Sequence, residues 1–139
     1  MKILIINGPN LNLLGKREPT IYGEQSFEAY FKEVQRKFPD FHLFDYQSNL
    51  EGELIDAIQN AEEKYEGIVL NAAAYTHTSI AIADAVKAIS IPVVEVHISN
   101  VFGREQFRHK SFITPYAKGV VAGFGLKSYE LALYSFMKS

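Results

Sequence analysis

Short, nearly continuous apolar runs that alternate with amphipathic stretches constrain this chain more than anything else in it. KILIIN at 2–7, GIVLNA at 67–72 and IPVVEVHIS at 91–99 carry apolar residues on both alternating faces. A strand reads that way when both faces of its sheet are covered. FHLFDYQ at 41–47 and KGVVAGF at 118–124 complete a set of five predicted strands. Between them the period changes. Phe27, Tyr30, Phe31 and Val34 form a helical stripe within 25–37, which Pro39 ends. Leu54, Ile55, Ile58 and Ala61 repeat at the same spacing within 50–64, with Ser48 and Asn49 as the expected cap. Thr76, His77, Thr78 and Ser79 offer caps for a helix over 79–89, and LKSYELALYSFMKS closes the chain as a helix. Strands alternating with helices of about a dozen residues imply right-handed βαβ units and a parallel sheet covered on both faces. Five such strands fit the doubly wound order 2-1-3-4-5.

Composition narrows the class. A chain of 139 residues suits one domain, and no repeat, low-complexity tract or linker divides it. Apolar residues at 47% and charged residues at 22% argue against disorder. A net charge of −2 gives no electrostatic reason to expect nucleic acid or an anionic membrane as partner. The absence of cysteine excludes disulfides, thiolate zinc, iron–sulfur clusters and a cysteine nucleophile. The apolar runs fall short of the ~18 residues that span a bilayer, and the first residues lack the long apolar segment and small-residue cleavage site of a signal peptide. The expected setting is cytoplasmic.

In open α/β sheets, ligands bind beyond the carboxyl ends of the strands, where the strand order switches. For the order 2-1-3-4-5 this lies between strands one and three, so the segments after residues 7, 71 and 97 carry the interest. The first runs from Gly8 to Gly23 and contains Asn10, Arg17 and Tyr22. It is long for a βα connection, which usually takes about 2–6 residues. It reads either as a solvated surface loop or as a lid over about 15–23, bracketed by Gly15 and Gly23. The second, NAAAYTHTS at 71–79, puts Asn71 at the end of a buried strand, where its amide must find partners. His77 stands beside the next helix start, as either a cap or an anion contact; Thr78 and Ser79 read as caps. In the third, Glu95 and His97 share one side of their strand. They form either a structural ion pair or an oriented acid/base unit in which the carboxylate holds the imidazole. Arg104 and Arg108, four apart, are neighbours if that stretch is helical, and either can fork onto a carboxylate. His42 and His109 read as surface or structural residues. Together these groups suit proton transfer on a small anionic substrate. No G-x-G-x-x-G, P-loop or H-E-x-x-H is present. No lysine stands at the end of an inner strand in these segments, which leaves Lys16 in the first loop as the remaining Schiff-base candidate.

Three motifs then stand out: INGPNLNLLG-x-REP at 6–19 with IYG at 21–23, NAAAYTHTS at 71–79, and VEVHISN at 94–100 with FGRE-x-FR at 102–108. With them the whole chain resembles the type II 3-dehydroquinate dehydratases. That resemblance implies a flavodoxin-like three-layer sandwich, a single catalytic domain over 1–139, and dehydration of 3-dehydroquinate to 3-dehydroshikimate without cofactor or metal. By position, Tyr22 matches the base, Arg17 the lid arginine that favours tyrosinate, and His97 the acid that protonates the departing hydroxyl, oriented by Glu95. Asn10 matches the residue holding a water at the enolate oxygen. Asn71, His77 and Arg108 match substrate contacts, and Ile98 and Ser99 match the carboxylate-receiving main chain and hydroxyl. Asp84 resembles an aspartate that reaches a neighbouring subunit's site, in a dodecamer built of trimers; Arg104 matches a supporting arginine. Many members have glycine near position 73, and the expectation is that Ala73 gives up positive φ there. Two rival readings are a non-catalytic flavodoxin-like module binding a small carboxylate, and a hydrolase using Ser79, His77 and Asp84.

Overall fold

Alternation along the first strand decides the layering. The computed structural model describes residues 1–16, 20 and 24–138. In β1 (Lys2–Asn7), Ile3 and Ile5 join the core on one face of the sheet and Leu4 and Ile6 the core on the other. The remaining strands are β2 (His42–Gln47), β3 (Gly67–Asn71), β4 (Val93–His97) and β5 (Gly119–Ala122). They form one sheet, ordered β2-β1-β3-β4-β5, with every pair parallel. β3 and β4 are buried along their whole length, which is why they read as continuous apolar runs.

The helices are α1 (Phe27–Lys37), α2 (Glu51–Ala61), α3 (Ile80–Ala88) and α4 (Lys127–Tyr134). Phe27, Tyr30 and Val34 of α1 pack with Tyr129, Ala132 and Leu133 of α4 against one face. Leu54 and Ile58 of α2 pack with Ile82 and Val86 of α3 against the other. The three layers and the strand order are those expected from the sequence. Ser26 caps α1, its hydroxyl accepting from the Ala29 N–H at 3.2 Å, and Phe38 ends it just before Pro39. At α2 the expectation shifts by a residue. Leu50 occupies the cap position, while Ser48 accepts the Leu50 N–H at 2.9 Å and donates to Glu53 at 2.5 Å. The expected strand over 91–99 is shorter in the structure and ends at His97, so Ile98 and Ser99 lie just past it.

Register sets up the site. Asn7 pairs with Gln47 on one side and with Asn71 on the other, a row of three amides at the carboxyl ends of adjacent strands. Leu70 pairs with Glu95, which carries His97 one step beyond that row. Among the described residues, no helix is long and apolar enough to cross a membrane.

Candidate active site

A cleft opens at this switch point, lined from all three segments singled out in the sequence. Pro9 and Asn10 come from after β1, Asn71, Ala73 and His77 from the end of β3 and beyond, and His97 through Ser99 with Arg104 and Arg108 from the end of β4 and beyond. Gly8 makes the crossing of the first two segments possible. Its N–H donates to the Asn71 carbonyl at 2.7 Å, and a Cβ there would sit 2.5 Å from the Ala72 oxygen. Asn10 follows in the left-handed region at φ 70°, which asparagine tolerates, and its N–H donates to the Asn49 side chain at 3.0 Å.

Ala73 corrects one expectation. It adopts φ 53° despite its Cβ. The Ala73 N–H donates to Asn71 Oδ1 at 3.1 Å, so a local side-chain bond holds the turn that glycine would make without strain.

The Glu95–His97 pair has a defined geometry. His97 Nε2 lies 2.5 Å from Glu95 Oε2, and both residues are buried. Glu95 Oε1 accepts from Thr114 Oγ1 at 2.6 Å and Ser111 Oγ at 3.1 Å. Burial alone would raise the carboxyl pKa of Glu95, but the bonds from His97, Thr114 and Ser111 outweigh it and hold it below the ordinary value. Glu95 is therefore a carboxylate at neutral pH. Its Oε2 accepts the hydrogen bond from the Nε2–H of His97, which leaves Nδ1 as the ring nitrogen available to the cleft.

His77 stacks on His97, with ring centroids 6.0 Å apart and planes 22° from parallel. Its Nδ1 is 2.7 Å from the Lys110 carbonyl, which can only accept, so Nδ1 carries the proton. Burial, with the nearby His97 and Arg108 charges, pushes the His77 pKa down against the opposing pull of that carbonyl and of Glu95. A neutral His77 keeps Nε2 as an acceptor. Helix capping falls to Ser79, whose Oγ accepts from the Ile82 N–H at 2.9 Å, so the hydroxyl of the hydrolase reading is buried and engaged.

Arg104 and Arg108 do not share a helix. Arg104 follows the 3-10 turn Val101–Gly103 as its C-cap and Arg108 ends the next turn, Gln106–Arg108, yet both reach the cleft. Arg104 Nη1 donates to Ser99 Oγ at 3.1 Å, which leaves the serine proton free to donate to a bound group. Arg108 Nε donates to Glu105 at 2.9 Å. Two guanidiniums flanking one wall favour an anion there.

Other candidates are not brought to this cleft. Asp84 is exposed on α3 and does not line it. Arg17, Tyr22 and most of the expected lid over 15–23 lie outside the described residues. His42 and His109 are exposed, the surface alternative of the two. Among the described residues, no group of three or more His, Asp or Glu side chains could hold a metal ion.

Sequence reasoning passed over four residues. Ser111 and Thr114 clamp Glu95, and Asn7 and Tyr129 hold Asn71: its Nδ2 donates to Tyr129 Oη at 2.9 Å, and that hydroxyl donates to Asn7 Oδ1 at 2.6 Å. The usable signal was polar satisfaction, since a buried carboxylate and a buried phenol each require partners.

Known proteins share the sequence and the fold of this chain. The model of the Dehydroquinase class II family matches residues 1–137. A 3-dehydroquinate dehydratase of Exiguobacterium sp. is 55% identical over 139 residues, covering 99% of this chain and 95% of that protein. One from Rhizobium etli is 56% identical over 136 residues, covering 96% and 93%. The crystal structure of the type II dehydroquinase from Butyrivibrio crossotus superimposes with a TM-score of 0.94 at 47% identity, covering 97% of this chain and 96% of that one.

Proposed function

The chain belongs to the class II dehydroquinase family, and from that premise we propose that it dehydrates 3-dehydroquinate to 3-dehydroshikimate through an enolate. The single observation that carries the reading is a carboxylate-anchored imidazole, Glu95–His97, opening on a cleft walled by Arg104, Arg108 and Ser99.

In this mechanism Tyr22 removes a proton from the carbon next to the ketone. A free phenol has a pKa of ~10, so it needs help to be a base at neutral pH. A guanidinium within ~4–6 Å lowers such a pKa by roughly 1–3 units when the pair is desolvated. That is the role assigned to Arg17, five residues away on the same loop. Asn10 holds a water against the enolate oxygen. His97, acting as the imidazolium with its Nε2–H on Glu95, then delivers its Nδ1 proton to the departing hydroxyl and becomes neutral, and the C–O bond breaks to give water and a conjugated enone. Arg108 and Asn71 bind the substrate, as does His77 through its neutral Nε2. The Ile98 and Ser99 main chain, with the Ser99 hydroxyl, receives the carboxylate. Each positioned acid or base contributes typically ~10²–10⁴-fold, and enolate stabilisation and orientation supply the rest. The reaction in this reading uses no cofactor or metal.

The same reading places the enzyme in the cytoplasm as a dodecamer built of trimers, with the exposed Asp84 reaching a neighbour's cleft. An active monomer in sedimentation would refute that assembly. The activity is tested by mixing pure protein with 3-dehydroquinate, without metal or nucleotide, and following the enone by ultraviolet absorbance. A carboxylate-binding module would leave the absorbance flat.

A further inference from the structure

The Asn71 side chain is held at both ends. The Ala73 N–H donates to its Oδ1, and a backbone N–H can only donate, so that end of the amide is oxygen and the other is the NH₂. One N–H of this group donates to Tyr129 Oη. Having accepted that bond, the phenol gives its own proton to Asn7 Oδ1. Asn7, Asn71 and Tyr129 are all buried, and Asn7 and Asn71 are register partners on β1 and β3. Burial pushes the Tyr129 phenol well above its ordinary pKa, so it remains a protonated link. The ring is fixed by edge-on contact with Phe27, centroids 5.2 Å apart, and by a tilted contact with Tyr30 at 6.2 Å. Asn71 nevertheless reaches the cleft, where one N–H remains to be used.

We propose that Tyr129 is a positioning residue of this site. Ala73 decides which end of the Asn71 amide is nitrogen, and Tyr129 decides where that nitrogen points. The second N–H is thereby presented to the cleft as a fixed donor, which selects a hydroxyl or carboxylate oxygen on the bound molecule and disfavours a donor in that place. The inference rests on Asn71 being a substrate contact, and it assigns to the last helix a part in recognition although none of its residues lines the cleft.

A double-mutant cycle tests it with 3-dehydroquinate. Tyr129→Phe should lower kcat/KM about tenfold, the scale of one hydrogen bond, chiefly through KM. Asn71→Ala should lower it at least as far. If Tyr129 acts through Asn71, the double variant should match Asn71→Ala within about twofold. Losses that multiply would overturn the proposal, because a purely structural defect adds to the loss of Asn71. A second measurement needs neither substrate nor a folded variant. In the unliganded wild type, hydrogen exchange at the Asn71 side-chain amide should be slow for the proton held by Tyr129 and faster for its twin. Both protons exchanging at the rate of a free amide would refute the clamp. An inactive wild type would count against the dehydratase reading, while the exchange measurement would still decide the clamp.

Discussion

Replacing Glu95 by Gln should slow the reaction at one step, and the structure says how. Ser111 Oγ accepts from the N–H groups of Ile113 and Thr114, so its proton is committed to Glu95 Oε1; Thr114 donates to the same oxygen. That end of the side chain must stay an acceptor. The new NH₂ therefore replaces Oε2 and faces His97 Nε2. A donor there forces the proton of neutral His97 onto Nδ1 and opposes the imidazolium, whose Nε2–H would meet another N–H. One charge-assisted hydrogen bond, worth about 1.5–3 kcal/mol, is lost from the acid. That range corresponds to a fall in kcat of roughly 10- to 150-fold. Steady-state assays should find it, while deuterium exchange at the carbon next to the ketone persists, since proton removal does not use His97. A kcat within threefold of wild type, with the fold intact, would refute the acid assignment. Exchange falling in step with kcat would show that Glu95 acts elsewhere. Stability gives an independent check. The folded carboxyl has a depressed pKa, so its contribution is present in full above the ordinary value of ~4.3 and is lost as pH falls through the folded value. The stability gap between wild type and Glu95→Gln, measured by urea unfolding, should thus narrow below about pH 4.3; a gap that widens there contradicts the sign.

Three further outcomes are expected. Tyr22→Phe and Arg17→Ala should each lower kcat more than tenfold with unchanged circular dichroism, and full activity in either would remove the tyrosinate base. His97→Ala should stall loss of the hydroxyl yet still permit exchange at the adjacent carbon, so absent exchange with normal substrate binding would contradict the division of labour. Ala73→Gly should relieve a left-handed conformation that costs an L-residue about 1–2 kcal/mol, offset by about 0.4–1 kcal/mol of unfolded-state entropy. Its melting temperature should equal or exceed that of wild type, and a drop of more than about 3 °C would mean that Ala73 is not strained.

The sheet was legible because its physics is local. β3 and β4 read as apolar runs since both faces are covered, and α1 declares itself through Phe27, Tyr30 and Val34 with Pro39 beyond. The cleft was legible in turn, because strand order fixes which loops meet: Asn10, His77 and Arg108 lie on those loops, and Asn71 and His97 end the strands that lead into them. Residues acting from outside them were not. Ser111, Thr114 and Tyr129 support Glu95 and Asn71 across separations of 16 to 58 positions. Nothing in the local pattern marks a serine in a connecting segment as a clamp. Ala73 was misread for a related reason, since propensity penalises alanine at positive φ but ignores the Asn71 oxygen waiting for its N–H.

The difference between a structural ion pair and a working acid lies in what each end of the pair touches. Burying a carboxylate and an imidazolium costs several kcal/mol per ion, so a pair kept for stability is best when both partners are enclosed and every polar atom is satisfied. Glu95 meets that standard: one oxygen takes two hydroxyls and the other takes His97. His97 does not, because its remaining nitrogen is turned to a cleft flanked by two arginines and Ser99. A module that only holds a carboxylate would use Arg108, Ser99 and Asn71, and would gain nothing from a clamped glutamate behind a histidine. The support is concentrated behind the group that would give up a proton, which is the arrangement expected when position and protonation state, rather than affinity, are under selection.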